Sequence, residues 1–166
     1  KEVVLQLGAY MIKLAGLGDN IEENKNKILE KIENKDAYQK LIQLVENQGG
    51  DISYIENTEK FPKAKFKIPV ISDKDGFVES LNARKVGEIS GALGAGRLRK
   101  EDKIDQSVGV MLCKKISDRV EVGETLAYVY ANNEELGNKA SKNLKETYKI
   151  ANNVVPKPKM ILDIVK

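Results

Sequence analysis

The 166-residue sequence contains no histidine, no tryptophan and a single cysteine, Cys113. Without an imidazole, Ser-His-Asp catalysis, Cys-His catalysis and every zinc site that uses histidine are excluded. One cysteine forms no intrachain disulfide and no CxxC motif, a pattern typical of proteins in a reducing compartment. We therefore expect a cytoplasmic protein without a metal ion or an organic cofactor.

Charge of one sign and long apolar runs are also lacking. Lys and Arg number 28 against 25 Asp and Glu, a formal net charge of +3, and the basic residues are scattered along the sequence. A nucleic-acid surface requires basic residues clustered on one face. No apolar run approaches the roughly 20 residues of a membrane span, and no charged-then-apolar leader opens the sequence. We expect a soluble globular protein with neither nucleic acid nor a membrane as partner.

Residues 1 to about 50 are predicted to form three helices. Residues 3–15 place apolar side chains on nearly every face of the first helix, which is typical of a buried helix. Asp19 and Glu22 have the spacing of a capping box for the second, and Asn34 is suited to cap the third. The third is expected to end at Gln48-Gly49-Gly50, where glycine favours the left-handed conformation. Three short helices cannot cover so apolar a first helix, and the sequence enters it directly at Lys1 without a methionine. We expect this segment to pack against a part of the protein that is missing.

After Asp51 the pattern changes to α+β, with mostly antiparallel strands. The segment FPKAKFKIPVIS over residues 61–72 alternates lysine with apolar residues, and its two prolines restrict it to an edge strand or to two short strands. The remaining predicted elements are a strand over Gly76–Leu81, a helix from Asn82 through Leu93, a strand over residues 108–112, a charged turn over Ser117–Glu124, a strand over Thr125–Tyr130, a helix from about Glu134 to Ala151 and a last strand over Met160–Val165.

The glycine-rich segment Gly91–Arg97 is the strongest candidate for an anion site. Clustered glycines allow backbone N–H groups to approach a phosphate, and Arg97 is able to add a bidentate contact. A phosphate cradle, however, precedes a helix and uses the positive end of its dipole, whereas these glycines follow a predicted helix. We interpret the segment as a helix stop followed by a tight connection.

Glu101, Asp102 and Asp105 form an acidic group that suggests a cation site. Lys100 and Lys103 alternate with these carboxylates and repel a divalent ion, and the EF-hand spacing is absent. We interpret this group as a solvated loop and infer no metal site.

Lys63, Lys65 and Lys67 fall on one face of the predicted edge strand. Such lysines either bind phosphate or prevent edge-to-edge aggregation, and we favour the second interpretation. Cys113, at the end of a strand and with no histidine to activate it, is expected to be a small packing residue and not a nucleophile. We therefore assign no catalytic, cofactor-binding or metal-ligating residue.

Two longer stretches carry a family resemblance. The order GAGR, KED, ID and VG over residues 91–110, followed by KK, DRV, GE and LA over residues 114–127, is similar to the C-terminal domain of pyrimidine-nucleoside phosphorylases and thymidine phosphorylases. Gln48-Gly49-Gly50-Asp51 and Leu7-Gly8-Ala9 resemble upstream segments of the same family. The resemblance thus extends over nearly the whole chain, and the collinearity of its short motifs makes it specific.

The resemblance implies a homodimeric pentosyltransferase of nucleoside salvage, in which phosphate attacks a pyrimidine nucleoside to release the base and a pentose 1-phosphate. It implies that residues 1–60 are the helical end of a larger α/β domain and that residues 61–166 are a hammerhead-like, barrel-sandwich-type C-terminal domain. The family's phosphate-binding and pyrimidine-binding residues belong to segments before Lys1, so none is matched onto this sequence. We expect the chain itself to be structural and inactive, with the missing N-terminal part as its partner.

Two other interpretations remain open. The hairpin segments Asp75–Val78 and Asp118–Ala127 are similar to those of biotinyl and lipoyl carrier domains, although neither Lys65 nor Lys114 has the setting of an attachment lysine. A free-standing module that holds an anion through the lysine-rich strand and Arg97 is the other alternative. If the first helix lacks its partner, its apolar surface is expected to cause self-association.

Overall fold

A computed structural model describes residues 1–97 and 99–165 of the chain. The contacts within it divide the chain into a helical unit, Lys1–Lys60 together with the last residues from Lys159, and an α+β unit, Phe61–Pro158. The assignment of residues 1–60 and 61–166 to two domains of a larger enzyme concerns their origin and stays a prediction. None of the helices in the described part of the chain combines the length and hydrophobicity required to cross a bilayer.

The helical unit contains the three predicted helices, α1 (Glu2–Leu14), α2 (Ile21–Glu33) and α3 (Asp36–Asn47). The third ends as expected, since Gly49 follows it with a φ of 74°. Two short elements were not anticipated. They are α4 (Ser53–Glu56) and a single 3₁₀ turn (Thr58–Lys60).

The cap of α2 differs from the expectation by one residue. The side-chain oxygen of Asn20, not Asp19, accepts hydrogen bonds from the N–H groups of Glu22 (3.0 Å) and Glu23 (3.3 Å). The Asn20 amide in turn donates to the Glu23 carboxylate at 3.1 Å. The capping box is therefore Asn20 with Glu23, because asparagine is as good an N-cap as aspartate and the same three-residue spacing is available one position later.

Most of α1 is exposed in this chain, and its packing against a missing part of the protein stays a prediction. Only Ala9 is buried in this helix. Close packing against α2 occurs at the small residues, since a Cβ added to Gly8 would lie 2.7 Å from Ile28 Cδ1. The opposite stripe, with the spacing of a two-turn helical repeat, is 61–87% exposed and consists of Val4, Leu7, Met11 and Leu14. We call these four side chains the α1 stripe.

The α+β unit is built on two three-stranded antiparallel sheets, which confirms the predicted fold class. One sheet has the order β1-β5-β3 and the other the order β4-β2-β6. The barrel-sandwich description stays a prediction. In chain order the elements are β1 (Phe66–Ile71), β2 (Gly76–Leu81), α5 (Ala83–Ser90), β3 (Gly109–Leu112), β4 (Arg119–Val120), β5 (Thr125–Ala131), α6 (Glu134–Lys145) and β6 (Tyr148–Ala151).

Three predictions for residues 117–165 differ from the structure. The predicted charged turn contains the short strand β4, and the helix predicted to reach Ala151 stops at Lys145. Residues 148–151 instead form β6, which pairs with β2. The last predicted strand, over Met160–Val165, does not form. Pairing with distant strands decides these segments, and a local pattern carries no information about it.

A single hydrophobic core joins the two sheets to α6. Leu126, Val129 and Leu144 are completely buried in it. As predicted, Asn82 caps α5 by accepting a hydrogen bond from the Lys85 N–H, and the inward side chains of α5 pack against the core. β1 is an edge strand, also as predicted, and Pro69 is accommodated there.

Candidate functional site

The glycine-rich segment lies at the C-terminal end of α5. The helix ends at Ser90 and runs into a π-helical turn, Gly91–Ala95, so the predicted end at Leu93 falls within that turn. Gly94 has a φ of 107°, a conformation that favours glycine. The dipole at this end of a helix is negative, and Arg97 is exposed. The geometry is that of a helix stop, and it does not favour a phosphate.

A polar cluster of Asp105, Ser107 and Asn132 holds the segment that follows these glycines. Asp105 Oδ1 accepts from the Ser107 hydroxyl (2.6 Å) and the Ser107 N–H (2.9 Å). Its other oxygen, Oδ2, accepts from the Asn132 amide at 2.7 Å. The hydrogen bonds from the Ser107 hydroxyl, the Ser107 backbone and the Asn132 amide, in that order, lower the pKa of the Asp105 carboxyl.

This polar cluster connects three distant parts of the chain. The Asp105 N–H donates to the carbonyl of Gly94 at 2.9 Å. Asn132 lies directly after β5. Its Oδ1 accepts a hydrogen bond of 2.9 Å from the N–H of Lys65, which immediately precedes β1. The sequence analysis missed this cluster. The Asp-x-Ser spacing was a usable local signal for the turn, but nothing local points to Asn132.

The acidic group of the sequence analysis does not converge on one point. Asp102 accepts from the Arg99 N–H at 2.8 Å, whereas Asp105 is engaged by Ser107 and Asn132. Over residues 1–97 and 99–165, no three Asp, Glu, Cys or His side chains are placed to hold a common metal ion.

Of the three lysines predicted to share one strand face, Lys67 lies in β1 and faces tyrosines on the neighbouring strand, whereas Lys63 and Lys65 precede β1, which begins at Phe66 and not at Phe61. Lys67 Nζ lies 4.1 Å from the centre of the Tyr128 ring and 5.9 Å from that of Tyr130. A cation so close to two aromatic faces is attracted by their quadrupoles. Lys67 is therefore held by its own sheet, which supports its role as an edge-strand residue over an anion ligand.

Cys113 and Lys114 follow β3. Cys113 is exposed, so the expectation of a packing residue is wrong. Its N–H still donates to the Leu126 carbonyl and continues the pairing of the sheet edge, which leaves the side chain outside the core. Lys114 Nζ contacts Glu124 at 2.5 Å and the Arg119 carbonyl at 2.9 Å. A lysine held in this way is not presented for covalent attachment, so the structure gives no support to the carrier interpretation.

Comparison with known proteins gives a consistent result. Residues 77–151 match the family model described as the pyrimidine nucleoside phosphorylase C-terminal domain. Two curated relatives named pyrimidine-nucleoside phosphorylase, from Staphylococcus aureus strains bovine RF122 / ET3-1 and USA300, are each 38% identical to this chain over 164 residues. This similarity covers 99% of the chain. Over nearly its whole length, the chain is therefore similar to the C-terminal part of these pyrimidine-nucleoside phosphorylases.

The chain spans 37% of the length of these two pyrimidine-nucleoside phosphorylases. The matched C-terminal domain begins inside β2 and ends with β6. It therefore includes the glycine-rich segment and the polar cluster. The family resemblance inferred from the sequence is confirmed, and its motifs over residues 91–127 lie within the matched domain.

Proposed function

We propose that this chain is the structural C-terminal portion of a pentosyltransferase that cleaves pyrimidine nucleosides with phosphate. In that reaction a phosphate oxygen forms a bond to the anomeric carbon, the glycosidic C–N bond breaks, and the base leaves and takes up a proton. The observation that carries the proposal is the extent of the similarity. It covers 99% of the chain, and so includes the helical residues as well as the matched domain.

Under this proposal residues 1–60 are the end of an α/β domain, and residues 61–166 are the C-terminal domain. The α1 stripe supports the first assignment, because four large apolar side chains in one row are unusual on the surface of a complete domain. The rest of the parent enzyme would cover this stripe. The parent is proposed to be a cytoplasmic homodimer that acts in pyrimidine salvage, with phosphate and a pyrimidine nucleoside as its substrates.

The chain alone is proposed to be inactive. Phosphorolysis requires groups that bind the phosphate, hold the pyrimidine and assist departure of the base, all converging on one point. In the described part of the chain, the glycine-rich segment presents the negative end of a helix, and the polar cluster satisfies its own hydrogen bonds. The role left to this portion is to brace the parent and shape the wall of a cleft from which water is excluded.

Incubating the purified chain with uridine or thymidine and phosphate tests this assignment. Release of free base, followed by absorbance and chromatography, is expected to equal the buffer control, while a full-length Staphylococcus aureus pyrimidine-nucleoside phosphorylase releases base under the same conditions. Turnover by the isolated chain would refute its proposed inactivity.

A chimaera tests the positive half of the proposal. This chain is substituted for the matching C-terminal part of the Staphylococcus aureus enzyme, and phosphorolysis is expected to be retained. A folded but inactive chimaera would count against an equivalent role for this chain.

The isolated chain should also self-associate through the α1 stripe, and a Leu7→Glu, Met11→Glu variant should sediment as a smaller species. A strictly monomeric state of the unsubstituted 166-residue chain would count against self-association through the α1 stripe.

A further inference from the structure

A cavity of about 410 Å³ opens between α5 and α6 in the α+β unit. Its lining side chains fall at helical spacing on each side, so one face of each helix borders the space. This volume lies within the range of small-molecule sites, roughly 300–1,000 Å³. The floor is apolar and is formed by Ile89, Ala92, Leu93, Leu136 and Ala140.

The floor is anchored, and part of it is left without cover. Ile89 and Leu93 pack against the hydrophobic core, and Ala140 belongs to that core. Leu136, on the same side of α6, remains 50% exposed. The Thr147 hydroxyl donates to the Leu144 carbonyl at 2.7 Å, so it is already satisfied and does not compete for a ligand. The cavity therefore offers apolar surface backed by fixed residues.

The charges at the rim are unequal. Lys85 and Lys139 line the cavity, and within residues 1–97 and 99–165 neither forms an ion pair. Glu88 also lines it, but Arg84 Nε holds its carboxylate at 2.9 Å. Glu146, the residue directly after α6, also lines it, and it follows Lys139 by seven residues, or about 10 Å along the helix axis. Among the described residues, the charged lining side chains without an ion pair are therefore Lys85, Lys139 and Glu146, which together carry a net charge of +1.

We propose that this cavity binds a small amphipathic carboxylate. The apolar body of the ligand lies against Ile89, Leu93 and Leu136, and its carboxylate lies between Lys85 and Lys139. The Asn143 side chain, one turn after Lys139, is available as a further hydrogen-bond donor. This site is independent of the proposed phosphorolysis, since no step of that reaction uses it.

Octanoate is a suitable probe, with octylammonium and octan-1-ol as probes of the same apolar body and a different head group. Titration of the full 166-residue chain, labelled with ¹⁵N, is followed by NMR at octanoate concentrations below micelle formation. Saturable shifts are expected at the amides of the lining residues. Octanoate should bind about fivefold more tightly than octylammonium, because solvent-accessible ion pairs contribute up to about 1 kcal/mol.

Two matched variants locate the head group. Lys139→Gln should weaken octanoate binding by about three- to fivefold and leave octan-1-ol binding unchanged. Lys142→Gln, on the same helix but outside the lining of this cavity, should change neither. Equal binding of the three probes, an equal effect of the two variants, or the absence of saturable shifts at the lining residues would overturn the proposal. These outcomes do not depend on whether the chain takes part in nucleoside cleavage.

Discussion

Replacing Gly137 by alanine is expected to destabilise the protein, although alanine is the better helix former. Gly137 is buried in the interior of α6. A Cβ at this position would lie 2.5 Å from Ile68 Cδ1 and 2.9 Å from Ala131 Cβ. The optimal separation of two carbon atoms is about 3.5–4.0 Å. The end of Ile68 is able to rotate away, but Ala131 Cβ is fixed to the backbone of β5, so helix or strand must move.

Gly87 provides the matched control, because it lies inside α5, is exposed, and has no atom within 4 Å of an added Cβ. Glycine costs about 1 kcal/mol relative to alanine inside a helix. Gly87→Ala should therefore stabilise the chain by up to about 1 kcal/mol. Gly137→Ala gains the same amount but adds an overpacking cost of about 1–3 kcal/mol. The difference between the two variants isolates that cost.

Urea unfolding followed by circular dichroism measures both variants. A second substitution, Ile68→Val, removes the closest atom, so the pair Gly137→Ala, Ile68→Val should be more stable than the sum of the two single effects predicts. If Gly137→Ala proves as stable as Gly87→Ala, the close approach of α6 to β1 and β5 is wrong.

Three further predictions concern caps and buried polar groups. Asn20→Ala should lower the free energy of unfolding by about 1 kcal/mol and Asp19→Ala should leave it unchanged, with equal effects contradicting the cap of α2. Tyr148→Phe should lower the free energy of unfolding in urea by about 1 kcal/mol, since the hydroxyl lies 3.1 Å from two backbone carbonyl oxygens that share its one proton. Burial raises the pKa of Tyr148 from its ordinary value of 10.0 to about 12. The contribution of Tyr148 to the free energy of unfolding should therefore be complete below pH 10 and disappear as the pH rises towards 12. Titration of the phenol at its ordinary pKa would argue against burial. The lowered pKa of Asp105 means that its hydrogen bonds contribute fully above its ordinary pKa of 3.8 and are lost as the pH falls through the lowered value. The NMR shift of the Ser107 amide should follow this loss as the pH falls, and in the control variant Asp105→Asn the pH-dependent shift should be absent. A shift that remains in this variant would exclude Asp105 as its origin.

Local patterns were sufficient to locate the helices of eight or more residues, although not all of their ends, and most of the strands. Apolar spacing located α1, α2 and α3, and alternation located β1 together with its position at a sheet edge. These features depend on which side chains lie a few residues apart, and a sequence displays that directly.

Features that depend on distant partners were not predictable in the same way. Tyr148 continues the four-residue spacing of Leu136, Ala140 and Leu144, so the pattern extended the helix to it. In the structure Tyr148 belongs to β6, where pairing with β2 and a buried hydroxyl outweigh the helical spacing. The exposure of Cys113 was missed for a related reason, since burial at the end of a strand depends on what covers that end.

The candidate sites followed the same division. The glycine-rich segment was interpreted correctly as a helix stop because the order of helix and glycines is visible in the sequence. The polar cluster was missed because Asn132 lies 27 residues from Asp105 along the chain. The cavity between α5 and α6 was also invisible, since it exists only after two separate amphipathic helices meet.

Asn132 has a consequence for how the α+β unit opens. Its amide and carbonyl are bound at once, by the segment after the glycine-rich turn and by the residue before β1. Detachment of either segment disturbs Asn132, the residue that also holds the other segment. The glycine-rich turn and the beginning of β1, although about 30 residues apart in the sequence, are thus expected to exchange their amide hydrogens as one cooperative unit.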